Sequence, residues 1–230
     1  FLQEAAAVFA GEAEAACGVG GRFLVLRPAV LDGRRDQNSM ILASRRCFLT
    51  GTAVDVTGDV LELVEGWQCS PGDLLAVSIR GRDGHMYLLV SFHGDTNGLA
   101  TLPVLGGVHS LSRGRLLGHR VVAGLDANTY REHSPHYQGV AHFHAAVTRM
   151  GLASCWGDVP DVTEATTCNA RTHLQPQLNK AVSYAQRFTK GDVNKKDWIL
   201  FDSGCWAASG TTRDNTGRRT YIDDMIFPTL

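Results

Sequence analysis

In Val121-Val122-Ala123-Gly124-Leu125-Asp126-Ala127-Asn128-Thr129 an apolar run leads directly into a carboxylate and a carboxamide two positions apart. On an extended backbone alternate side chains share a face, so Asp126 and Asn128 are expected to project together from a strand end. A carboxylate there can hold a hard cation or orient a water. The neutral amide can hydrogen-bond a phosphoryl oxygen without repelling it. The pairing suits attack of water on a phosphate ester, although Asp and Asn also end strands simply because they favour turns.

A second apolar run, His85-Met86-Tyr87-Leu88-Leu89-Val90-Ser91-Phe92, ends on His93 and passes into Gly94-Asp95-Thr96-Asn97-Gly98. Catalytic groups of α/β enzymes collect where strands meet loops, which marks His93 as a candidate catalytic residue, although a lone histidine is more often a satisfied surface or core residue. His133, His136, His142 and His144 crowd the segment after Asn128. They are a poor zinc set, because His142 and His144 leave different sides of a predicted helix and no cysteine completes a ligand spacing. Gly18-Val19-Gly20-Gly21 lacks the lysine of a phosphate-binding glycine loop and reads as a helix stop. No Gly-x-Ser-x-Gly elbow supports a serine hydrolase. The four tryptophans are expected in the core, with Trp156 also able to stack on a nucleobase.

These residues need a scaffold. Apolar patterns place strands over 22–27, 39–43, 53–64, 74–80, 85–93, 119–126, 197–201 and 221–227. Helical patterns cover 4–16, 99–112, 139–150 and, more weakly, 178–187. Turn glycines between 53 and 93 argue antiparallel hairpins, whereas strand-helix alternation over 85–150 argues a mixed sheet. Together they predict two sheets face to face with helices outside.

With 230 residues, 44 % of them hydrophobic, and no long Pro- or Ser-rich divider, the chain is expected to form one domain. A net charge of −1 gives no broad basic field for nonspecific nucleic-acid binding, leaving only a local patch at Arg213, Arg218 and Arg219. The six cysteines form no Cys-x-x-Cys pair, and no Asn-x-Ser/Thr acceptor occurs, so reduced cysteines and an intracellular protein are favoured. No apolar run reaches the length of a membrane span, and a monomer is expected. Phe1-Leu2-Gln3-Glu4 reads as the tail of a strand beginning upstream.

The order Leu2-Gln3-Glu4, strand-His93, strand-Asp126-x-Asn128, then Lys196-Asp197-Trp198-Ile199-Leu200-Phe201 resembles the endonuclease/exonuclease/phosphatase superfamily of metal-dependent phosphoesterases. The resemblance covers nearly the whole chain through short motifs. It implies a four-layer α/β/β/α sandwich of mixed, mainly antiparallel sheets. It also implies Mg²⁺, or Mn²⁺, on Glu4, although a glutamate at a helix N-terminus is the plain alternative. His93 would contact phosphate or act as general acid, Asp126 would position water, and Asn128 would bind phosphate. Asp197 would be the later active-site aspartate, with Asp224 competing.

One departure stands out: Leu125 replaces the glycine before the Asp, and Gly124 lies one residue earlier. Arg171 and Lys180 fall where substrate-selecting insertions occur and could contact phosphate. The family's closing Ser-Asp-His, whose histidine is the base, is expected just beyond Leu230, so the chain reads as truncated at both ends. The implied partner is a phosphate ester, with nucleic acid, inositol phosphate and phospholipid head group undistinguished. A noncatalytic phospho-ligand or protein binder of the same fold is the alternative.

Overall fold

The computed structural model describes residues 1–17, 20–33, 37–167 and 194–212. The expectations for Arg171, Lys180, Asp224, Arg213, Arg218 and Arg219, the strand over 221–227 and the helix over 178–187 lie outside the described residues.

Strand β1 (Leu2–Ala5) is followed by helix α1 (Ala7–Cys17), β2 (Phe23–Leu26) and β3 (Asn38–Ser44). Then come β4 (Val54–Asp55), α2 (Thr57–Leu61), β5 (Leu74–Arg80), β6 (Met86–His93), α3 (Thr101–Arg113) and β7 (Arg120–Asp126). Helix α4 (Val140–Arg149), β8 (Leu152–Ser154) and β9 (Asp197–Asp202) complete the described elements. They form a three-stranded sheet ordered β1-β3-β2 and a six-stranded sheet ordered β4-β5-β6-β7-β9-β8. All pairings are antiparallel except β6 with β7. This is the expected mainly antiparallel sandwich with helices outside.

The continuous apolar runs of β5 and β6 reflect burial on both faces. Leu88, Val90 and Phe92 point to the helix side, where they meet Val104, Leu105, Val108, Phe143 and Trp198. Tyr87 and Leu89 point between the sheets, against Leu24, Ile41, Ala43, Leu75, Val77 and Ile79. Each fully buried aliphatic or aromatic side chain contributes about 1.5–3 kcal/mol. A third cluster, Ala10 and Ala13 on Ala5 and Met40, seats α1 on the small sheet. No helix among the described residues is long and apolar enough to cross a membrane.

Three expectations change. The strand predicted over 53–64 is a two-residue strand followed by α2. Val56 and Val60, four apart, bury one helical face in the helix-side core, and this packing overrides their β-branched preference. The helical pattern over 4–16 starts only at Ala7, because Leu2 and Ala5 pair with Met40 and Asn38 of β3. Trp67, expected in the core, is 37 % exposed.

Candidate active site

Strands β6 and β7 are parallel and joined through α3, so their C-terminal ends reach the same sheet edge with His93 in register with Asp126. Strand β9 runs the other way and starts at that edge, with Asp197 opposite Asp126. The pairing thus sets an imidazole and two carboxylates side by side on the inter-sheet face. That face is fixed by alternation, since the intervening Phe92, Leu125 and Trp198 all enter the helix-side core.

Glu4 reaches this row from the small sheet. The β1–β3 register slips between Leu2 and Ala5, and Glu4 takes a left-handed φ of 55°. Such a bulge re-aims a side chain. The Glu4 carboxylate lies 3.8 Å from His93 Nε2 and accepts a hydrogen bond of 3.0 Å from Gln37 Nε2. Asp126 Oδ2 lies 3.8 Å from the same His93 nitrogen, so the imidazole stands between two carboxylates. His93 Nδ1 is buried with no hydrogen-bond partner among the described residues.

Gly124 explains the shifted glycine. The Phe1 ring packs within 2.3–2.5 Å of where a Cβ would stand, and Gln3 Nε2 donates to the Gly124 carbonyl at 3.1 Å. The glycine is needed where β1 crosses β7, one step before the site, while Leu125 serves the helix-side core. Gly98, at φ +71°, likewise lets its loop press on the Ala127 and Asn128 carbonyls, 2.7 and 2.6 Å from a Cβ position.

Asn128 is not placed as alternation predicts. Strand β7 stops at Asp126 and Asn128 adopts φ 48°, so its side chain turns inward and is 6 % exposed. Its backbone N–H donates to Asp126 Oδ1 at 3.0 Å. Its Nδ2 donates to the Gly94 carbonyl at 3.0 Å, and its Oδ1 accepts from Lys196 Nζ at 2.9 Å. Glu4 and Asn128 are the only non-glycine residues with positive φ among the described residues. Each such conformation costs about 1–3 kcal/mol and persists only where the surroundings impose it, typically at functional sites.

Crowding at the sheet edge removes water from around the Asp197 carboxyl, and with the charge of Asp126 beside it this pushes its pKa up to about 6. A hydrogen bond to Thr166 and the charges of Lys196 and His93 oppose that rise. The residue keeps an open edge to solvent and borders a cavity of about 650 Å³ shared with Gln3, Gly124, Trp156 and Thr211. Trp156 Nε1 donates to the Asp197 carbonyl at 2.9 Å, and Lys195 Nζ sits 3.6 Å from the Trp156 ring centre.

The structure therefore brings together Glu4, His93, Asp126 and Asp197, with Asn128 directly beneath. Gln37, Thr166 and Lys196 were not foreseen. Only Lys196 had a signal, its adjacency to Asp197. His133 and His142 stack at 3.9 Å, and no group of three His, Cys, Asp or Glu side chains converges as a metal cluster among the described residues. Glu4 alone still suits a hydrated hard cation, since Mg²⁺ commonly binds one or two carboxylates and keeps water or phosphate oxygens elsewhere. The bond from Gln37 helps to fix the orientation of the Glu4 carboxylate.

No protein-family model and no curated protein matches the sequence. Solved structures do. An endonuclease/exonuclease/phosphatase family protein of Bacteroides thetaiotaomicron superposes with TM-score 0.51 at 14 % identity, over 87 % of this chain and 67 % of that one. Truncated TDP2 of Caenorhabditis elegans gives 0.51 at 13 % identity, covering 87 % and 68 %. TDP2 of D. rerio, solved with a single-strand DNA product, gives 0.50 at 13 %, covering 88 % and 69 %. The chain thus has the fold of the endonuclease/exonuclease/phosphatase proteins.

Proposed function

We propose that this protein hydrolyses phosphate esters by attack of water on phosphorus in the cleft between the two sheets. The observation that carries the reading is the convergence of Glu4, His93 and Asp126 at one strand edge, where the only two strained non-glycine residues described also lie. The likeness in fold to an endonuclease/exonuclease/phosphatase family protein and to TDP2 solved with a single-strand DNA product supports it.

In this reading Asp126 accepts a hydrogen bond from the attacking water and orients it. His93, held between Glu4 and Asp126, hydrogen-bonds the phosphoryl oxygens as charge grows on them or donates a proton to the departing alkoxide. Asn128 offers its remaining amide N–H to a phosphoryl oxygen. Asp197 can exchange a proton near neutral pH because its carboxyl is raised to about 6. Glu4 would hold Mg²⁺ or Mn²⁺, which when bound supplies Lewis-acid stabilisation of phosphoryl charge.

The test is an assay of the full-length protein against p-nitrophenyl phosphodiesters, oligonucleotides, inositol phosphates and sphingomyelin. We expect turnover of at least one with Mg²⁺ and its loss with chelator. Turnover indifferent to chelator would overturn the metal assignment, and a silent panel the hydrolase reading.

A further inference from the structure

We infer that Lys196 is a positioning residue of this site, acting through Asn128. A buried lysine is unusual unless its charge is used, and Lys196 is only 6 % exposed. Alternation along the chain separates it from its neighbours. Lys195, itself buried, packs its ammonium on the Trp156 ring and Asp197 borders the open cavity, whereas Lys196 turns beneath the site to Asn128 Oδ1 at 2.9 Å, its ammonium 5.3 Å from the Tyr130 ring centre. Its backbone is pinned as well. The Lys196 N–H donates to Thr166 Oγ1 at 2.9 Å, and its carbonyl accepts from the Ala127 N–H at 2.8 Å.

The two partners of the Asn128 amide settle its orientation. An ammonium can only donate and the Gly94 carbonyl can only accept, so Oδ1 must face Lys196 and Nδ2 must face Gly94. A flipped amide would set N–H groups against the ammonium. Withdrawing electron density through Oδ1 also strengthens Nδ2 as a donor, because linked hydrogen bonds polarise one another. The second Nδ2 proton is the one left for a phosphoryl oxygen. Lys196 thereby turns a flexible amide into a fixed, polarised donor and holds Asn128 in its left-handed conformation.

This inference rests on the phosphoesterase reading for its kinetic consequence but not for its structural one. Deleting a preorganised donor outright costs about 100–1,000-fold in turnover, so losing its lock and polarisation should cost about tenfold. In the full-length protein, Lys196→Met is expected to lower kcat about tenfold with KM nearly unchanged, and Lys196→Arg to recover most of it. In an Asn128→Ala background Lys196→Met should add no further loss. Full activity of Lys196→Met, or a loss that multiplies with that of Asn128→Ala, would overturn the inference.

The side-chain amide resonance of Asn128 in the ligand-free protein provides a readout independent of catalysis. It should shift in Lys196→Met and stay near its wild-type position in Lys196→Arg. An unshifted resonance in Lys196→Met would refute the contact even if the protein proves to hydrolyse nothing in the panel. Conversely, a shift in a protein without turnover would retain the contact while the hydrolase reading fails.

Discussion

Asp197 carries a pH-dependent cost to stability at the candidate site. Its carboxyl is raised from the ordinary 3.8 to about 6, so the folded state binds its proton more tightly than the unfolded chain does. That contribution favours the fold below the ordinary value and is lost as pH rises through about 6. Asp197→Asn should therefore stabilise the metal-free protein above that pH by about 1 kcal/mol after allowing for solvent screening at this open position, seen as a higher melting temperature. The two proteins should converge near pH 4. A variant less stable than wild type at neutral pH would show that the carboxylate is stabilising instead. His93 and Asp126 were legible because an apolar run ending on a polar residue marks a strand end. Asn128 was legible as a residue but not in its placement, since alternation holds only while the backbone stays extended and φ there is 48°. Lys196 was hidden by the ordinary expectation that lysine is exposed.

At the scale of elements, the site depends on how closely β1 crosses β7. Gly124→Ala would drive a methyl into the base of the Phe1 side chain, so that β1 or β7 must shift to accept it. We expect a loss of about 1–3 kcal/mol from overpacking, measured by denaturant unfolding. An unchanged midpoint would mean that β1 yields easily and does not hold Glu4 rigidly. The bulge that aims Glu4 could not be read from sequence, because the composition of residues 4–16 is helical and only pairing with β3 makes its start a strand. The misread α2 segment was in principle legible through the i, i+4 spacing of Val56 and Val60, but a five-residue helix carries little periodic signal. The three-residue β8 carries less still.

For the whole molecule, the sandwich was foreseeable from the two kinds of apolar run. Strands buried on both faces need a helix layer on one side and a second sheet on the other. Order along the chain then brought Glu4, His93, Asp126 and Asp197 to one edge, which no single motif could establish. If Glu4 holds the cation, Mg²⁺ should raise the melting temperature of wild type by mass action and leave Glu4→Gln unmoved. An equal shift in both would place the cation elsewhere.

The central claim is that Asp126 orients water for attack on phosphorus. Asp126→Asn keeps an oxygen able to accept the Asn128 N–H while removing the charge, so it separates chemistry from folding. Steady-state hydrolysis of the best phosphate ester in Mg²⁺, compared between wild type and Asp126→Asn at matched thermal stability, is the direct measurement. The account predicts a fall in kcat of at least about a hundredfold. Equal turnover by the two proteins would contradict it.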